Sequence, residues 1–236
     1  MIAATTRQEP VFRSRAVRRG LAALLVSLAA SIAVTSAQAG HTAGGDRQAF
    51  SERFAKASLV ASHWRQWWGT FAIDHGEAVL GSTPPTAAGE THSSLLTTRQ
   101  TWADFVLDLD VSPVRQLRRN DPPNTWETGW VMFRFRDLEN YYFFLLKPNG
   151  WELGKKQGSD TQIFLATGGS PRLPIGSRAH LRLVVAGRHI RVSIDGTSVV
   201  DFVDPHPLPA GSIGLYEEDA LARFGALTVA TGAGPV

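Results

Sequence analysis

Two neighbouring segments, 130–136 and 140–147, carry the side chains with the most evident chemical potential. Each alternates in hydrophobicity with the period of two that is typical of a half-buried β-strand. If the odd-numbered apolar residues of the first segment and the even-numbered ones of the second face a core, the opposite face mixes aromatic and basic groups. That face comprises Trp130, Met132, Arg134, Arg136, Tyr141, Phe143, Leu145 and Lys147.

Such a face has the chemistry needed to hold a sugar. Flat aromatic rings pack on the apolar C–H faces of sugars, while lysine and arginine donate hydrogen bonds to hydroxyl groups and, bidentately for arginine, to carboxylates. Trp151 follows directly after the turn at Pro148-Asn149-Gly150. The predicted carbohydrate-binding residues are Trp130, Arg134, Arg136, Tyr141, Lys147 and Trp151.

A purely structural interpretation of the same residues stays open. The polar loop at 112–128 would then cover Phe143 and Leu145 as a second, minor core, and Arg134 and Arg136 would only extend to solvent. The two interpretations are compatible, because a loop over a concave face also walls a cleft.

Catalytic residues are harder to identify. Glycoside hydrolysis uses two carboxyl groups about 5 Å or about 6.5–9.5 Å apart. Glu139 and Glu152 are the candidates beside the predicted sugar-binding face, but they form no recognisable pair in sequence. Glu139 also fits a simple turn, and Glu152 fits an ion pair with Lys155 or Lys156 across the hairpin. Whether the protein is an enzyme therefore stays open.

Metal and cofactor motifs are absent from the sequence. It contains no cysteine, and its seven histidines show no ligand spacing. The acidic run Glu217-Glu218-Asp219, together with Glu52, offers oxygen atoms of the kind that hold structural calcium. Solvated charge is the simpler interpretation, so no metal or cofactor is predicted and calcium is kept as an alternative.

The elements that position these residues are short strands separated by Gly and Pro turns, which predicts an all-β sandwich or jelly roll. The segment 115–124 is predicted to be a polar loop. Strands are predicted at 50–54, 70–73, 78–80, 94–97, 102–111, 130–136, 140–147, 151–156, 180–186, 190–194, 199–202, 212–216 and 224–229.

The N-terminus predicts export. Basic residues precede an apolar run at 21–34 and an Ala37-Gln38-Ala39 cleavage pattern, which together are typical of a bacterial signal peptide helix over 1–39. A flexible segment at 40–48 and a single domain at 49–231 would follow, in the periplasm or outside the cell. Cleavage removes five arginines and one glutamate from 24 basic and 21 acidic residues, leaving a net charge of −1. That charge does not favour nucleic-acid binding.

The closing strands carry a family resemblance. The segments 130–135, 140–146, 188–196, 200–202 and Gly211-Ser212-Ile213-Gly214-Leu215-Tyr216 resemble concanavalin A-like lectin/glucanase domains. Within them, the sequence is most similar to the laminin-G-like group that includes 3-keto-disaccharide hydrolase-like domains. The resemblance covers roughly 50–230 and implies an antiparallel β-sandwich of the concanavalin A-like jelly-roll type. The segment Phe224-Gly225-Ala226-Leu227 lacks the acidic residue that often closes such domains, which weakens the calcium alternative.

Three functions are compatible with these features. The first is an exported protein that recognises a glycan, with carbohydrate as its partner and no membrane span after signal cleavage. The second is a glycoside hydrolase or polysaccharide lyase on the same fold, and the third is a protein-interaction module of the cell envelope. The sequence leaves the oligomeric state undetermined.

Overall fold

The computed structural model describes residues 47–159 and 161–232, and within them it contains fifteen strands and one short helix. The predicted signal peptide and almost all of the predicted flexible segment lie outside these residues. The elements are β1 (Arg47–Glu52), α1 (Ala57–His63), β2 (Trp64–Trp68), β3 (Thr70–Asp74), β4 (Glu77–Gly81), β5 (Ser93–Thr98), β6 (Phe105–Gln116), β7 (Gly129–Asp137), β8 (Asn140–Lys147), β9 (Gly150–Gln157), β10 (Ile163–Gly168), β11 (Ala179–Ala186), β12 (His189–Ile194), β13 (Thr197–Val203), β14 (Ser212–Glu218) and β15 (Ala220–Thr231).

The strands form two antiparallel sheets packed face to face. The eight-stranded sheet has the order β13-β12-β11-β6-β15-β4-β3, with β1 also paired to β15. The seven-stranded sheet has the order β10-β9-β8-β7-β14-β5-β2. This arrangement confirms the predicted all-β antiparallel sandwich.

The main core lies between the sheets, where strands of both contribute alternate apolar side chains. Leu107 and Leu109 of β6 are buried there opposite Phe133 of β7 and Phe144 of β8. Burying such side chains is the main favourable term in folding. Of the described residues, no helix is long and apolar enough to cross a membrane.

The two outer faces differ. On the eight-stranded sheet, Arg223 bridges Asp74 at 2.5 Å and Glu77 at 3.2 Å, and Arg182 pairs with Asp108 at 2.7 Å. On the seven-stranded sheet, the outer face is a second apolar cluster. It contains Trp68, Leu95, Trp130, Met132, Phe135, Tyr141, Phe143 and Leu145.

The sequence interpretation missed three elements: α1, β2 and β10. The strand β2 has the sequence Trp-Arg-Gln-Trp-Trp, and its register against β5 shifts between Gln66 and Trp68. Such a bulge disrupts the period-two alternation that marks a strand. The strand β10 lies at a sheet edge with Ile163 and Phe164 exposed, so it also lacks a clear buried face.

Candidate functional site

A bulge in β7 changes which side chains reach the outer face of the seven-stranded sheet. Phe135 pairs with Ser212, whereas Met132 pairs with Gly214, so β7 contains one extra residue in this interval. Arg134 sits there with φ 45°, in the left-handed region. Phe135 consequently joins the outer cluster, and Arg134 turns away from it. The expectation that Arg134 faces outward and Phe135 inward is therefore wrong, because the bulge breaks the alternation.

Arg134 is a buried structural residue. Its guanidinium donates to the carbonyl oxygens of Ala103 at 2.7 Å, Leu208 at 2.8 Å and Gly187 at 2.7 Å. Its side chain is only 4% exposed. With its donors directed at the backbone of three loops, Arg134 holds one end of the sandwich together and has no free edge for a ligand.

The side chains of Trp151 and Lys147 also make their polar contacts within the protein. Trp151 packs in the main core, stacked on Phe144, with its indole N–H donating to Ser170 O at 2.9 Å. Lys147 forms a partly buried ion pair with Glu152. The partner expected for Glu152 was Lys155 or Lys156, but Lys155 instead pairs with Asp204 at 2.7 Å.

Trp130 and Tyr141 lie on the outer face, as their positions in the strands predict, but they are 4% and 6% exposed. Trp130 contacts the rings of Phe143 and Tyr216, and its indole N–H donates to the carbonyl of Trp126 at 2.9 Å. That bond brings the end of the segment 117–128 to the outer cluster, whereas residues 112–116 of the expected loop belong to β6 instead. The cluster thus has the character of a second, minor core, which was the structural interpretation of this face.

Glu139 and Glu152 are too far apart to act as a catalytic pair. Glu139 lies exposed in the β7–β8 turn, where its backbone N–H donates to Asp137 at 2.9 Å. Glu152 lies opposite Leu145 in the neighbouring strand, and Leu145 is six residues after Glu139. At about 3.3 Å per residue, the backbones of the two residues are about 20 Å apart, too far for their carboxyl groups to reach the separation that glycoside hydrolysis uses.

An open pocket of about 420 Å³ lies at the far end of the outer face, beside the bulge. It is formed by the ends of β2, β5, β7 and β14 and by the segments that adjoin them. The lining residues are Arg65, Trp67, Thr97, Thr98, Arg99, Thr101, Phe135, Arg136, Ala210, Gly211 and Ser212. Of the predicted sugar-binding residues, only Arg136 lines it.

The wall of the pocket is held rigidly by Trp67. Its indole N–H donates to Thr97 Oγ1 at 2.9 Å, and its ring meets the edge of Phe135 at 5.5 Å. The guanidinium carbon of Arg65 lies 3.8 Å from the centre of the Trp67 ring, a cation–π contact. Because Trp67 is fixed on two sides, it places Arg65 at a defined position over the pocket.

Two more arginines, Arg99 and Arg136, line the same pocket. Arg136 is exposed, and its side chain forms no hydrogen bond or ion pair within the described part of the chain. Arg99 is exposed and makes one long hydrogen bond, 3.4 Å, to the carbonyl of Ala61. The pocket therefore combines guanidinium donors and threonine and serine hydroxyls on a tryptophan-supported wall.

A second group of unusual side chains surrounds the β14–β15 turn. Burial and the charge of Asp219 raise the pKa of Glu218 to about 8, and burial raises that of Asp219 to about 6 despite its bond to Arg118 at 2.9 Å. Burial also raises the pKa of Glu217 well above its usual range. Tyr216 Oη lies 3.3 Å from Glu218 Oε2.

This acidic turn carries no metal-binding geometry. Among the described residues, no group of three or more His, Asp and Glu side chains is arranged to hold an ion. Glu127 Oε2 and Glu217 Oε1 are buried without a hydrogen-bond partner. A raised pKa favours the neutral form of Glu217, which is the form that costs less to bury.

Solved structures of several other proteins share this architecture. The carbohydrate-binding module CBM66 of Bacillus subtilis is 20% identical, with a TM-score of 0.58 over 72% of this chain and 96% of the module. A β-glucanase of Bacillus licheniformis is 12% identical, with a TM-score of 0.53 over 81% of this chain and 100% of the enzyme. At such identities the likeness establishes the fold alone.

A galectin-like protein of unknown function from Bacillus subtilis is 17% identical, with a TM-score of 0.61 over 78% of this chain and 96% of that one. Comparison with curated protein sequences gives no match. The sequence model of the 3-keto-alpha-glucoside-1,2-lyase-like domain, in contrast, matches residues 56–230, which are most of the chain. This match confirms the resemblance drawn from the closing strands, and the protein belongs to the family of 3-keto-alpha-glucoside-1,2-lyase-like domains.

Proposed function

We propose that the protein recognises a glycan in the pocket at the Trp67 end of the seven-stranded sheet. The observation that carries this proposal is an open pocket of about 420 Å³ in which hydrogen-bond donors converge on a rigid aromatic wall. That volume lies within the range of about 300–1,000 Å³ that is usual for small-molecule sites. The family name and the names of two fold relatives concern sugars, which supports the same ligand class.

The proposal keeps one of the six residues predicted from sequence and replaces the others. Arg136 remains, because it is exposed and lines the pocket. Arg65 and Arg99, with Trp67 supporting Arg65, replace the other five predicted residues, whose side chains make their contacts within the protein. The proposed site of action is the periplasm or the outside of the cell, on the strength of the signal-peptide pattern at 1–39.

Saccharide binding by Trp67→Ala and Trp126→Ala tests this proposal. Both remove an indole, but Trp126 is 41% exposed and precedes β7 at the end away from the pocket. A glycan array and affinity electrophoresis should find a saccharide ligand for the unaltered protein. Loss of Trp67 removes the support of Arg65, so we expect affinity to fall about tenfold or more, with Trp126→Ala unchanged.

Two results would contradict the proposal. One is the absence of binding to any saccharide across a broad array. The other is equal binding by the Trp67→Ala variant and the unaltered protein, with both variants folded as judged by circular dichroism. A stable dimer that buries the pocket would instead support a protein-interaction module.

An enzyme on the same sheet is the second candidate, and it is favoured by Glu218. With a pKa of about 8, this carboxyl holds a proton at neutral pH, as a general acid requires. It lies beside Tyr216 on the outer face. In this role Glu218 donates its proton to the glycosidic oxygen as the bond from that oxygen to the sugar carbon breaks, while a water molecule adds to the carbon and releases its own proton to solvent.

Turnover of a panel of glycosides, including 3-keto-glucosides, tests this candidate. We expect activity to fall as pH rises through about 8, because the acid form is lost, and to be abolished in Glu218→Gln. Glu139→Gln, at an exposed turn, is the matched control. Absence of turnover, or full activity in Glu218→Gln, would rule this candidate out.

A further inference from the structure

The charge of the pocket is unbalanced. Three of its lining residues are arginines, Arg65, Arg99 and Arg136, and none of the lining residues is acidic. On the outer face of the eight-stranded sheet, in contrast, Arg178 contacts Asp110 at 2.7 Å and Arg182 contacts Asp108 at 2.7 Å. Several like charges facing one concave space attract a counter-ion or a ligand of opposite sign.

The position of Arg65 disfavours a neutral sugar as the stacking partner of Trp67. Its guanidinium already lies over the ring, 3.8 Å from the ring centre. A sugar that stacked there would have to displace this cation–π contact. A stacked guanidinium, however, keeps its N–H groups in its own plane, where they extend past the ring edge and can bind an oxyanion bidentately.

The neighbouring groups complete a donor set for an anion. Arg136 forms no ion pair with the described residues, and the exposed Thr101 and half-buried Ser212 present hydroxyls beside it. The pocket is open, so the remainder of a saccharide chain can extend away from the charged group.

We propose that this pocket binds the anionic group of an acidic saccharide, the carboxylate of a uronic acid or the sulfate ester of a sulfated sugar. The proposal rests on the proposed glycan recognition and specifies its ligand class. Arg136 and Arg65 contact the oxyanion, Arg99 adds long-range attraction, and the hydroxyl groups contact the sugar ring.

Matched pairs of oligosaccharides test the proposal by isothermal titration calorimetry. The uronate arm compares trigalacturonate with its methyl ester, and the sulfate arm compares a carrageenan tetrasaccharide with its desulfated form; a neutral array is run in parallel. The protein variants are Arg136→Gln, which removes the charge, Arg136→Lys, which keeps it, and Arg188→Gln, an exposed arginine away from the pocket.

We expect one charged saccharide to bind at least about tenfold more tightly than its neutral mate. Arg136→Gln should remove that difference, Arg136→Lys should keep part of it, and Arg188→Gln should leave it intact. The arm in which the difference appears identifies the anion.

Two outcomes overturn the inference and differ in what they imply. If neutral saccharides bind and the charged member of each pair has no advantage, the anion preference is wrong but glycan recognition stands. If no saccharide binds in either arm or on the neutral array, the proposed function fails and the inference fails with it.

Discussion

The arginines fall into two groups according to what their guanidinium groups contact. Arg134 and Arg118 are buried and directed at backbone carbonyls or carboxylates of the protein itself. Arg65 and Arg136 are exposed and border an open pocket. Arg134 and Arg136 are two positions apart, so composition and spacing alone do not separate a structural role from a binding role.

Substitution at these two neighbouring positions should have opposite consequences. Arg134→Ala leaves the carbonyls of Ala103, Leu208 and Gly187 without their donor inside the protein, so we expect the free energy of unfolding to fall by about 3 kcal/mol. Arg136→Ala should change it by less than about 0.5 kcal/mol. Urea denaturation measures both, and an equal loss of stability in the two variants would contradict this assignment.

The acidic turn predicts how stability depends on pH. Glu218 has a usual pKa of 4.5 and a pKa of about 8 in the folded protein, so the folded state binds more protons than the unfolded chain in this window. Stability therefore falls as pH rises from about 4.5 to 8. Asp219 acts in the same direction at lower pH.

We expect Glu218→Gln to flatten the fall of Tm between pH 5 and 9, because the amide cannot ionise. The exposed Glu139→Gln is the control and should reproduce the profile of the unaltered protein. A profile for Glu218→Gln that still falls as steeply would show that this carboxyl does not hold its proton in the folded state.

At the scale of elements, two bulges shape the pocket. The register shifts in β2 between Gln66 and Trp68 place Trp67 against Thr97, and the bulge in β7 brings Phe135 to the same wall. Gly211 closes the arrangement, since a Cβ at this position would lie 2.3 Å from the backbone carbon of Arg134. The close approach of these two backbones fixes the bulge beside the pocket.

Gly211→Ala should therefore damage stability and binding together. A methyl group cannot be accommodated 2.3 Å from backbone atoms, so the bulge must move, at a cost of about 2 kcal/mol in the free energy of unfolding. We expect saccharide affinity to drop in the same variant. Gly169→Ala is the control, because a Cβ there meets nothing within 4 Å; equal stability of the two variants would mean that the contact is not tight.

These bulges also mark the limit of what the pattern of residues predicts. The strand β8 lies at Asn140–Lys147, as the alternation of aromatic residues and the turn at Pro148-Asn149-Gly150 indicate. In β7 the same period-two rule holds up to Phe133 and then fails at Arg134, which adopts φ 45°. A left-handed arginine leaves no signature in composition, so neither its inward direction nor the pocket beyond it follows from the sequence.

Across the whole molecule, the two outer faces differ in polarity and in the pairing of their charges. The face of the eight-stranded sheet carries matched charges, such as Arg223 with Asp74 and Arg182 with Asp108, and these exposed pairs contribute little to stability. The face of the seven-stranded sheet is apolar, and at its pocket end it carries arginines without acidic partners.

The fold class and family were predictable from the sequence, because they depend on many strands. The location of the pocket was not predictable, because it depends on β2, whose residues do not alternate regularly between apolar and polar.

If the ligand occupies the pocket at Trp67, the indole N–H signals of the tryptophans will report it. We propose an NMR titration of the isotope-labelled protein with the tightest-binding saccharide from the array. We expect the indole N–H signal of Trp67 to shift, together with the backbone amide signals of Arg99 and Arg136, while the indole N–H signals of Trp126 and Trp151 stay in place. Saturable shifts at Trp126 or Trp151, with Trp67 unchanged, would contradict it.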